Sequence, residues 1–230
     1  MFIEYNNKKF LFIHIGGCAG TSIEYYLYCY LQNNNLEYDY NIEKNEYSIN
    51  HLRYIKTINE NNFTLFLNKC NFNSHSHNKI DFYKKYINID NTIIFTVIKN
   101  PYMRCLSKFF TSPHCKNINS INDAQYKFEN FIKEIYELKT NFSIEQKMHT
   151  ECQSNYIIYN GKYIENIIKF ENLNDNFLNF IKKYNLPEKK LLKCNSTFSP
   201  YKNINIYTNI SKDIVYKNNK IIIDKFYEKI

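Results

Sequence analysis

Tryptophan is absent from this chain of 230 residues, and glycine and proline occur only four times each. So little of the two residues that punctuate a backbone excludes collagen-like and linker-rich architectures. Long hydrophobic runs are missing as well. The strongest run near the N-terminus, within MFIEYNNKKFLFIHI, is of strand length, too short for a signal core or a membrane span. The seven cysteines (Cys18, Cys29, Cys70, Cys105, Cys115, Cys152 and Cys194) include no CxxC pair and are odd in number. A secreted disulfide framework and a paired-cysteine metal site are therefore not expected. The expectation is a soluble, reduced, cytoplasmic or otherwise intracellular protein without a membrane anchor or a metal.

Acidic residues are in deficit, 22 against 30 Lys and Arg, which leaves a net charge of +8. That balance favours anionic partners. The basic residues form no dense block, so nucleic acid is not the expected partner. A hydrophobic fraction of 44% with 17% aromatics supports a packed core, and the length suits a single domain over residues 1–230.

Against this scarcity, three of the four glycines (Gly16, Gly17 and Gly20) crowd into FIHIGGCAGTSIEYYL. The loop follows an apolar run over 10–15 and precedes a helical stripe of Ile23, Tyr26, Leu27, Tyr30 and Leu31. Thr21 and Glu24 fit a capping box at the helix start. A strand that runs through glycines into a helix N-terminus suits an anion, because free amides and the helix dipole both face it. GGCAGTS lacks the lysine of a nucleoside-triphosphate loop, which makes a Walker-type ATPase an unsuitable reading.

A second unit repeats the pattern. TIIFTVI (92–98) reads as a buried strand, followed by KNP and the helical YMRCLSKFF, with Asn100 as N-cap and Pro101 at the first helical position. Helices are expected over 123–138 (Phe128, Phe131, Ile132 and Ile135 inward), 143–158, 173–184 and 213–229. A strand is expected over 163–170 and an exposed Asn-rich connection over 32–50. The alternation predicts an α/β fold with a central, mostly parallel sheet flanked by helices.

FIHIGGCAGTSIE resembles the 5′-phosphosulfate loop of sulfotransferases, FIHIPKCAGTSIE, and TIIFTVIKNPYMRCLSKFF resembles their 3′-phosphate element, FxFxVVRNPYxRLVSxF. Downstream, HTECQSNY (149–156) is similar to HxxPQSxY, and IIKFENLNDNF (167–177) to IGRFENLEEDF. Order and separation match the Golgi-type carbohydrate sulfotransferases along nearly the whole chain. The resemblance implies a P-loop-kinase-like three-layer fold and transfer of a sulfuryl group from 3′-phosphoadenylyl sulfate (PAPS) to a hydroxyl acceptor such as a carbohydrate, without a metal.

It also implies roles. Gly16, Gly17, Cys18, Ala19, Gly20, Thr21 and Ser22 would hold the phosphosulfate. Lys99 (arginine in the family), Ser107 and Arg104 would serve the 3′-phosphate. His75 or His77 would be the general base, and His149 and Gln153 would meet the acceptor. The family's Pro-Lys is Gly16-Gly17 here. Lys8 and Lys9, at the far end of a strand and about 20 Å away, do not replace that lysine. Either another cation reaches in from a different element, or the chain is slow, or it is a degenerate relative that binds nucleotide or glycan without turnover. A small-molecule kinase using Mg-ATP on the same fold is the third reading.

Overall fold

The computed structural model describes residues 1–32, 77–138, 149–191 and 206–230. Asn6 and Asn7 take φ of 47° and 61°, the left-handed pair that a two-residue hairpin turn requires and that Asn tolerates. They fold β1 (Phe2–Tyr5) antiparallel onto β2 (Lys8–Ile13), a hairpin that the apolar run alone does not announce. After the Gly loop comes α1 (Gly20–Tyr26), which widens into a π-turn over Leu27–Gln32. Of its expected stripe, Ile23, Tyr26, Leu27 and Leu31 are buried and Tyr30 is half-buried.

The short α2 (Ile80–Tyr83) precedes β3 (Ile93–Ile98), and α3 (Pro101–Thr111) follows. Asn100 caps α3 as expected, its side chain accepting from the amides of Tyr102 (2.9 Å) and Met103 (3.4 Å). Then come α4 (Ile121–Lys133), extended by a π-turn over Glu134–Leu138, and α5 (Ser154–Ile157). A small hairpin, β4 (Ile158–Tyr159) and β5 (Lys162–Tyr163), leads to β6 (Asn166–Lys169), α6 (Leu173–Tyr184) and α7 (Asn209–Phe226).

The sheet runs β1-β2-β3-β6, with β2, β3 and β6 parallel and β1 antiparallel at the edge. Mixed α/β architecture with a small, mostly parallel sheet flanked by helices is thus what the chain adopts. Three boundaries differ from expectation. The helix expected over 143–158 is helical at 149–150 and again in α5, but broken at 151–153, where Gln153 turns inward; residues 143–148 lie outside the described residues. Tyr163 belongs to the separate hairpin rather than to β6. The last helix starts earlier, at Asn209, because Thr208 and Ser211 form a reciprocal capping box. The Asn-rich stretch from residue 33 onward also lies outside the described residues.

Phe10 through Ile13 and Phe95, Val97 and Ile98 are buried, as expected for strands covered on both faces. One core packs α1 and α6 on the sheet. A second gathers Phe109, Phe128, Phe131, Ile132 and Val215 from α3, α4 and α7. Adjacent residues of α7 serve both, Ile222 the first and Ile223 the second. Among the described residues, no helix is long and apolar enough to cross a membrane.

Candidate functional site

Because β2 and β3 pair in parallel, Ile13 opposite Thr96, the loops that follow them open at the same carboxyl edge of the sheet. The Thr96 hydroxyl donates to the Ile13 carbonyl (2.6 Å) and stitches the two strand ends together.

Each glycine of the first loop makes room for a basic side chain. A Cβ at Gly20 would fall 1.9 Å from His14 Nε2, and one at Gly16 would fall 2.6 Å from His149 Nδ1. Gly17 adopts φ +80°, and its Cβ would meet Lys108 Cε at 3.1 Å with Nζ at 3.7 Å. The clustering therefore has a steric cause within the chain, beyond any approach of an anion. The helix that follows does not use the expected capping box: Ala19 is the N-cap, in the left-handed region at φ 57°, with no side-chain cap. Glu24 instead meets His14, Nδ1 to Oε1 at 3.0 Å. Among the described residues, nothing accepts from the amides of Gly17, Ala19, Gly20 or Thr21. Cys18 and Ser22 are buried. The Cys18 thiol lies 3.3 Å from Gln153 Oε1, and burial pushes its pKa up, so it is a packed thiol and not a nucleophile.

At the second loop Lys99 is nearly buried. Its ammonium donates to Ser107 Oγ (2.7 Å) and lies 4.4 Å from the centroid of the Phe170 ring. The structure thus brings together the two residues expected to share a phosphate. Arg104 is placed differently from the expectation of a ligand contact. It is 3% exposed, and its Nε, Nη1 and Nη2 donate to the carbonyls of Gly16, Glu151 and His149, each at 2.8 Å. It clamps the loop to the 149–151 segment. Gln153, expected to meet an acceptor, is fully buried. Its Oε1 accepts from the Lys99 amide (2.9 Å) and its Nε2 donates to the Lys99 carbonyl (2.7 Å). It pins β3 to the first loop and offers no face to a substrate.

Three imidazoles stack edge to face behind the loop, His14 on His77 (4.5 Å between centroids) and His77 on His149 (4.4 Å). His77 Nδ1 lies 3.1 Å from the His14 carbonyl. A carbonyl only accepts, so Nδ1 carries the proton and Nε2 keeps its lone pair. Burial, reinforced by His14, pushes His77 down to about 4. Burial and the Lys108 ammonium push His149 down to about 3. Both are neutral at pH 7. His149 Nδ1 accepts from Lys108 Nζ at 2.5 Å. His75, the other expected base, lies outside the described residues. Among those described, no group of three or more His, Cys, Asp or Glu is arranged to hold a metal ion.

Two members of this constellation are not among the site residues expected from sequence. His14 carries a weak signal as the lone polar residue in an apolar run. Lys108 carries a better one: with Arg104 and Ser107 it completes an i, i+3, i+4 face on the helix after KNP. Compared with family models, with curated proteins and with solved structures, the chain matches none of them.

Proposed function

We propose that this chain is a sulfotransferase on a P-loop-kinase-like three-layer arrangement, moving a sulfuryl group from PAPS to a hydroxyl, with a carbohydrate as acceptor. The observation that carries the reading is the pair of strand–loop–helix units on adjacent parallel strands. One ends in four amides without a described partner, and the other in the Lys99–Ser107 pair. Two anion-holding loops at one sheet edge suit a donor with two separate anionic groups, and crevices at the carboxyl ends of parallel strands are the usual ligand sites of such sheets. In the reaction the acceptor oxygen bonds to sulfur, and the bond from sulfur to the bridging oxygen breaks with its electron pair left on the 5′-phosphate. The hydroxyl proton passes to a base, for which His77 Nε2 is the described candidate. Positioning and charge stabilisation supply most of the acceleration, as in phosphoryl transfer.

A second reading, a binding protein without turnover, is favoured by one observation. A His77 pushed down to about 4 is a poor proton acceptor at neutral pH. Calorimetric titration with adenosine 3′,5′-bisphosphate beside Mg-ATP tests the donor site. Micromolar binding of the bisphosphate alone is expected, and binding of Mg-ATP alone would replace this reading by a kinase. Transfer from labelled PAPS to a panel of glycans then separates enzyme from binding protein.

A further inference from the structure

His14 is the first residue beyond β2, at the carboxyl edge of the sheet, where open parallel sheets take their ligands. Its Nδ1 lies 3.0 Å from Glu24 Oε1, one turn into α1, and both side chains are largely buried. A carboxylate only accepts, so Nδ1 carries the proton and Nε2 keeps its lone pair. An imidazole base oriented by a third group has this arrangement. Gly20 lies against the ring without blocking that nitrogen. The place of its Cβ is nearest Nε2 and Cδ2, over the face of the ring, whereas the lone pair lies in the plane. Among the described residues nothing bonds to Nε2, and it is not one of the buried polar atoms that lack a partner. The lone pair therefore opens out of the packed interior.

His77 differs in what holds its Nδ1. The His14 carbonyl fixes the same tautomer but brings no net charge to set against an imidazolium. His77 also faces the His14 ring, and burial pushes it down to about 4. The charged and titratable groups packed around the two rings are Glu24 from α1, His149, and Lys108 and Arg104 from α3. Of these only Glu24 is an anion, and it is His14 that it touches.

We infer that His14 is the proton acceptor of this site and that Glu24 is its positioning residue. The inference rests on the sulfotransferase reading for which hydroxyl gives up the proton. Within that reading, the proton passes from the acceptor oxygen to His14 Nε2 as the oxygen bonds to sulfur. The electron pair of the breaking bond goes to the 5′-phosphate. The imidazolium so formed faces the Glu24 carboxylate and afterwards gives its proton to water.

The test is steady-state transfer from labelled PAPS to the glycan panel by the full chain, with thermal melts to check that each variant folds. His14→Ala is expected to lower kcat about a hundredfold or more, the usual share of a general base, with little change in KM for PAPS. Added imidazole should restore part of that rate, as it would not for a ring that only packs. Glu24→Gln keeps an acceptor for Nδ1 and removes the charge, so it should lower kcat by a smaller factor, again without raising KM. If His14→Ala does not fold, Glu24→Gln decides by the same split. A parent-like kcat, a loss confined to KM, or a loss in His14→Ala that imidazole does not restore overturns the inference and leaves the sulfotransferase reading standing. If the parent chain transfers nothing to any glycan, that reading fails, and carbethoxylation by diethyl pyrocarbonate, located by mass spectrometry, decides. Labelling of His14 that slows severalfold in Glu24→Gln supports the pair. An unlabelled His14, or labelling indifferent to Glu24, overturns it.

Discussion

Gly20 and Gly161 lack a side chain for different reasons, and the difference is measurable. At Gly20 the space of a methyl is taken by the His14 ring, which is itself buried and held by Glu24. At Gly161 nothing lies within 4 Å, and only the φ of +73° disfavours a side chain. Gly20→Ala is expected to cost about 3 kcal/mol, since a packed ring must move. Gly161→Ala should cost about 1 kcal/mol, the left-handed penalty alone. Urea midpoints of the two variants check this, and equal losses would refute the packing account. The glycine cluster was legible in the sequence as a place where backbone comes close to something. That the something includes His14 at the end of the same strand, and His149 and Lys108 from distant segments, was not, because no local pattern records which side chain a loop will meet.

Elements read from sequence fared according to how local their causes are. The α3 start was legible because Asn100 and Pro101 act within one turn, and the α4 and α6 stripes because period 3.6 needs no partner. The β1–β2 hairpin was missed, although Asn6-Asn7 is a fair turn signal, since the charged Lys8 and Lys9 interrupt the alternation that would have flagged a strand. The helix expected over 143–158 is interrupted for a tertiary reason: at 151–153 the chain leaves the helix, and Gln153 bonds both backbone groups of Lys99, a gain invisible to propensity. Arg104 shows the same limit, since its motif position suggested a ligand and its donors go to carbonyls. The Asn100 cap permits a direct check. Asn100→Ala removes the acceptor for two amides at the α3 start, and it is expected to lower stability by about 1 kcal/mol in chemical denaturation. The variant should also weaken bisphosphate binding, because the cap adjoins Lys99; a loss of stability without any change in affinity would separate the cap from the site.

At the scale of the whole molecule, α7 belongs to both cores, so the sheet and the helical layer of α3 and α4 are joined by one element. The buried imidazoles make the stability of this assembly depend on acidity. In the unfolded chain a histidine takes a proton near 6.5, whereas His77 and His149 resist it until about 4 and about 3. The unfolded state therefore binds more protons over that interval. Their contribution is complete above pH 6.5 and is lost as pH falls toward the folded values. The expected slope is up to about 1.4 kcal/mol per pH unit for each histidine. Melting followed from pH 7 to 4.5 should show the decline, and His149→Gln should remove part of it; a flat profile in the parent chain would contradict the burial of these rings. The Arg104 clamp has a different kind of consequence. Its guanidinium joins carbonyls from segments more than a hundred residues apart in the chain to the loop beside them only because the chain is already folded, so the loop has its shape before any ligand arrives. Little ordering is left for the moment of encounter. Association should then be limited by diffusion and by the attraction of a basic surface for an anion, slowing with added salt and showing no conformational lag.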